Sequence, residues 1–156
     1  MSSNSYRIED EPMPGALSAW AVKPLWPFIA VMFGGALISW LWFLFNSFAV
    51  GSPTQKRECT WIAAGFAGSL VLVFTILSLH EQGVIAEDFL KYALLLVTVW
   101  KLAVTYVLFT LQSHTIELFE YYGGQLKNGI FILIAGVLAS PFILASFPTA
   151  IKVALN

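Results

Sequence analysis

The chain is poor in the side chains that most enzyme chemistry needs. It has a single cysteine, Cys59, which excludes an internal disulfide and any multi-cysteine metal site. Its two histidines, His80 and His114, fall at opposite ends of different apolar stretches, roughly 30 Å apart if each stretch crosses a bilayer. They therefore cannot share one metal or work as an acid–base couple. Charge is also scarce: 11% of 156 residues, against about 25% in an ordinary soluble domain. A net charge of −1 with no basic tract gives no electrostatic footprint for nucleic acid. All nine acidic residues lie in tails, loops or helix ends.

What fills the chain instead is apolar surface, at 58% of residues. It is gathered into four blocks, 25–48, 61–79, 89–111 and 130–153. About twenty apolar residues at 1.5 Å rise span the roughly 30 Å hydrocarbon core. The pattern predicts an all-α integral membrane protein, a four-transmembrane-helix bundle made of two helical hairpins in tandem. Both termini then lie on one side, in a bacterial-type inner (cytoplasmic) membrane. Residues 1–22 are expected to be a flexible or interfacial tail, acidic at Glu9 to Glu11 and carrying Trp20. Residues 23–156 form the single membrane domain. Basic residues divide four against three between the two sides, which sets no orientation.

Local signals mark the ends of each block. Lys23, Trp26, Pro24 and Pro27 suit the entry of the first helix, which contains Gly34 and Gly35. Gly51-Ser52-Pro53 reads as a turn. In the second helix Ala64/Gly68 and Gly65/Ser69 are overlapping small-xxx-small pairs, the pattern that lets membrane helices approach closely. Gly136 is a similar packing position in the fourth helix, where Pro141 and Pro148 should each bend the backbone. The segment 113–122, with Glu117 and Glu120, is expected either to project as helix beyond the bilayer or to kink at the interface, ending at Gly123-Gly124. Phe45-Asn46-Ser47 and Leu111-Gln112-Ser113 echo one another at the ends of the first and third helices, a signal of tandem hairpins.

One residue breaks the apolar pattern. Lys101 lies near the middle of the third block, where an ammonium costs about 2.5–3.5 kcal/mol on insertion scales. On a helix, Thr98, Lys101, Thr105, Leu108 and Gln112 share a face. Ser39, Ser69 and Ser140 fall near the same depth on the other three helices, and Trp40 is placed to offer its ring to the ammonium. These serines also fit the plainer role of small packing residues. No carboxylate of the chain reaches the depth of Lys101. The amine must then snorkel, give up its proton, face a wet cavity, or meet a carboxylate on another chain.

Enzyme signatures are weak throughout. Gly123-Gly124 with Lys127 is too sparse for a phosphate loop, and no serine has a histidine beside it. Four short spans resemble small multidrug exporters, fluoride channels and immunity proteins in architecture only. The exporters' first-helix glutamate has no counterpart here. The expected function is non-enzymatic: binding of another membrane protein, or of further copies, as an accessory, assembly or immunity protein. The alternative is an oligomeric channel or transporter subunit with a polar pathway along the third helix. Membrane lipid is the surrounding partner, and no cofactor, metal or nucleic acid is expected. A wet cavity running through to Lys101 favours transport. An occluded seam beside an external apolar groove favours partner binding.

Overall fold

Two long helices form the axis of the molecule. The computed structural model describes residues 12–155. Within it, α3 is Gln55–Glu81 and α4 is Glu87–Tyr121. At 1.5 Å per residue they run about 40 and 52 Å, longer than the roughly 30 Å apolar core of a bilayer. Glu87 and Asp88 sit in the first turn of α4, where acidic groups favour the helix dipole. His80 closes the short connection through Nδ1 at 2.8 Å from the Ile85 carbonyl. The two helices are antiparallel: Gln112 meets Glu58, and the Trp100 indole donates to the Gly65 carbonyl at 3.2 Å. Only 28% of the apolar stretch of each is buried. Large apolar side chains such as Val71, Phe74, Leu96 and Val99 face outward, as they do where lipid replaces water.

The first apolar block does not form one span. It divides into α1, Leu25–Phe33, and α2, Gly35–Val50. Gly35 has φ +82°, a left-handed conformation that turns the chain back on itself. Ser39 Oγ donates to the Pro27 carbonyl at 2.7 Å, and the Asn46 carboxamide bonds both the N–H and the C=O of Val22. These pairs, 27 with 39 and 22 with 46, define an antiparallel hairpin. The expected helix over 25–48 is thus a re-entrant pair of short helices. A glycine pair in an apolar run allows either a straight helix or a reversal, and the partners waiting at Pro27 and Val22 select reversal. The two hairpins of the structure are α1–α2 and α3–α4, which is not the pairing of blocks that the sequence suggests.

Residues 12–22 are tied to the bundle at both ends, while Met13, Leu17 and Trp20 between them stand exposed. Met13 N–H donates to the Gly51 carbonyl and Gly15 N–H to that of Ala49. A short 3-10 turn over Ala16–Trp20 follows, and Ala21 and Val22 are fully buried. Val22 makes an isolated bridge with Lys127, whose N–H donates to the Ala21 carbonyl at 2.8 Å. Gly51 is held by this contact: it has φ +60°, and a Cβ there would overlap the Met13 carbonyl. The acidic run Glu9 to Glu11 lies outside the described residues.

The last block also divides, into α5, Ile130–Ala145, and α6, Thr149–Leu155. Pro141 stays within α5, whereas the break falls at Ser146 to Pro148, where the proline ring supplies no N–H. α5 rests on the re-entrant hairpin: Gly136 faces Ile38 and Ser140 Oγ donates to the Gly34 carbonyl at 2.8 Å. Its other face carries Phe131 and Phe142, each 79% exposed among the described residues. α6 packs with Val73, Ile76 and Val97 in the half where α3 ends and α4 begins. The first and last described residues therefore lie toward opposite ends of the bundle, contrary to the four-span count. The segment 113–122 continues α4 as straight helix to Tyr121.

Candidate functional site

Two ionisable side chains are buried in the bundle, at different levels and in different surroundings. The first is Glu58, at 0% exposure, in the opening turn of α3. Ser52 and Thr54, in the turn before the helix, each place a hydroxyl 2.6 Å from Oε1. Gln112 reaches across from α4 and donates from Nε2 to Oε2 at 2.7 Å, and to the Phe43 carbonyl of α2. The helix N-terminus adds its own preference for negative charge. This carboxylate is fully supplied with donors and ties α2, α3 and α4 together. Glu58 does lie at a helix end, as the sequence predicts, but its burial there is not expected from the sequence. The available signal was a hydroxyl-bearing turn, Ser52-Pro53-Thr54, with an acid in the helical turn that follows.

The second is Lys101, 6% exposed, on α4. It forms the floor of a lateral groove of about 850 Å³ between α1, α4, α5 and α6. Val97 and Leu144 are buried in its walls, while Met32, Thr98, Leu102 and Pro141 stand exposed at its rim. Lys152 of α6 brings a second ammonium to the same groove, and among the described residues no acidic side chain lines it. Lys101 Nζ donates to the Val153 carbonyl at 3.4 Å. That is long beside the roughly 2.7–2.9 Å of a charge-assisted hydrogen bond. Among the described residues the one ion pair is Lys23 with Glu120, at 3.6 Å and at the other end of the bundle.

The rest of the predicted seam is drawn into the interior. Thr105 and Leu108 are fully buried and Gln112 is 1% exposed. Thr105 Oγ1 donates to the Lys101 carbonyl at 2.7 Å and accepts from Trp40 Nε1 at 2.9 Å. Trp40 is thus joined to the seam through a hydroxyl, with its ring edge-on to Phe66 at 4.8 Å, and it does not face the ammonium. Ser39 and Ser140 bond hairpin carbonyls, because a hydroxyl in apolar surroundings takes the nearest acceptor. Ser69 is buried with its hydroxyl unpartnered. None of the three serines has a hydrogen bond to Lys101.

The small residues of α3 allow close approach. A Cβ on Gly65 would lie 2.8 Å from the Trp40 ring and 2.9 Å from Val104. One on Gly68 would lie 2.6 Å from the Trp100 indole. Ala64 beside them is half-buried. The structure therefore separates the expected set into two internal hydrogen-bonded pairs, Trp40–Thr105 and Gln112–Glu58, and an external groove lined by Thr98, Lys101 and Lys152. Compared with protein families, curated proteins and solved structures, the chain matches none.

Proposed function

We propose that the protein is an integral membrane protein of the bacterial inner-membrane type that acts without catalysis, by binding another membrane protein in the lateral groove. The observation that carries this reading is the separation of Lys101 from the polar seam. Thr105 and Gln112 spend their hydrogen bonds inside the bundle, and Leu108 fills the space between them. A conduction path along α4 would need those groups turned to water. The groove instead has exposed residues of α1, α4 and α5 at its rim, where a neighbouring helix would sit. A lysine near mid-span of an apolar helix is costly unless something supplies its countercharge.

Photo-crosslinking from Thr98 or Leu102, in cells, tests this directly. A protein adduct is expected from these rim positions, absent from Val71 on the exposed face of α3, and lost when Lys101→Met is added. Lys101-dependent ion flux through the purified protein in liposomes, with no such adduct, would favour the transport alternative.

A further inference from the structure

The groove's composition also indicates what its occupant must carry. Building on the partner-binding reading, we propose that it recognises an apolar membrane helix with one carboxylate near its middle, held between Lys101 and Lys152.

The argument begins with charge. Two ammoniums line one cavity whose remaining walls are apolar or hydroxylic, and among the described residues no Asp or Glu lines it. Two like charges without a counter-ion are mutually unfavourable in a low-dielectric cleft, and a carboxylate between them removes that cost. The contact that Lys101 now makes, 3.4 Å to a backbone carbonyl, is weak enough to be exchanged for a shorter charge-assisted bond.

Depth then separates a helix from a lipid as the source of that carboxylate. Lys101 is fourteen residues from the start of α4 at Glu87, or about 21 Å along the axis. Headgroup phosphates lie about half the roughly 30 Å core thickness away from the bilayer centre. A lipid anion would have to leave its interface to reach Lys101, whereas a partner helix can present a side chain at any depth. The groove's shape agrees with this. Its rim is contributed by three separate helices, at Met32 of α1, Thr98 and Leu102 of α4, and Pro141 of α5, so that a ridge of side chains on a fourth helix could pack among them.

The probe is a synthetic, dye-labelled polyleucine transmembrane peptide with one central Glu, compared with the same peptide bearing Gln. Association with the full-length protein is measured by energy transfer in phosphatidylcholine vesicles at mildly alkaline pH. The Glu peptide is expected to associate about tenfold or more tightly than the Gln peptide. Lys101→Met should abolish that preference and Lys152→Met should reduce it. Lys101→Glu should transfer the preference to a peptide with a central Lys. Thermal unfolding of each variant establishes that it is folded. Equal association of Glu and Gln peptides with the unmutated protein overturns the proposal. If rim crosslinks in cells persist in that case, the partner-binding reading itself stands. A Glu preference that survives Lys101→Met also overturns it. So does Lys101-dependent binding of palmitate or phosphatidylglycerol that displaces the Glu peptide, which would identify the occupant as a lipid anion.

Discussion

Glu58 and Lys101 are both buried ions on apolar helices, and the bundle treats them in opposite ways. Glu58 receives three donated hydrogen bonds, two from the turn before α3 and one from α4, with a helix N-terminus beneath it. Lys101 has one long contact to a carbonyl and a second lysine across the same groove. A desolvated charge is stabilised only by what surrounds it. The chain has met that need at Glu58 and left it open at Lys101. The first is therefore a structural clasp. The second is, in the proposed reading, where a partner's carboxylate would bind.

Removing each ion in turn is the sharpest way to break the comparison. Glu58→Ala should have the largest effect, about 3–5 kcal/mol of stability, because it strands the Ser52, Thr54 and Gln112 donors in a site without water. Detergent-resistance midpoints should fall accordingly, and Glu58→Gln should lose less. A Glu58→Ala protein as resistant as the parent would mean that the clasp is ornamental.

Packing of α3 on α4 and α2 ranks next. Gly68→Leu drives a side chain into the Trp100 indole and should cost about 1–3 kcal/mol, with Gly68→Ala milder. The same midpoint measurement reads it, and no change would show that Trp100 swings out freely. Gly35→Ala follows, at about 1–2 kcal/mol, from forcing an alanine into the left-handed region at the hairpin tip. If Gly35→Ala were stabilising, the 25–50 segment would be continuing as a helix rather than reversing.

Lys101→Met closes the series with the smallest effect on stability. The isolated protein should be unchanged or slightly more resistant, since an ion without a countercharge has been exchanged for an apolar side chain of similar length. Equal destabilisation by Lys101→Met and Glu58→Ala would erase the contrast between the two sites.

Much of this molecule was legible in its residues. Four apolar blocks, the apolar cores of α3 and α4 though not their full lengths, and the isolation of Lys101 on a face with Thr105 and Gln112 follow from composition and the 3.6-residue period. Hydropathy counts apolar residues but carries no direction. It could not say that the chain turns back at Gly34-Gly35, or that 130–153 breaks before Pro148. Those outcomes depend on acceptors from other segments, Pro27 for Ser39 and Val22 for Asn46. The burial of Glu58 was equally out of reach, because a carboxylate in a first turn is exposed unless a residue 54 positions away closes over it. Sequence settled which groups are costly to bury. Only the tertiary structure decided which of them found partners, because that depends on chain segments far apart in sequence arriving at the same level.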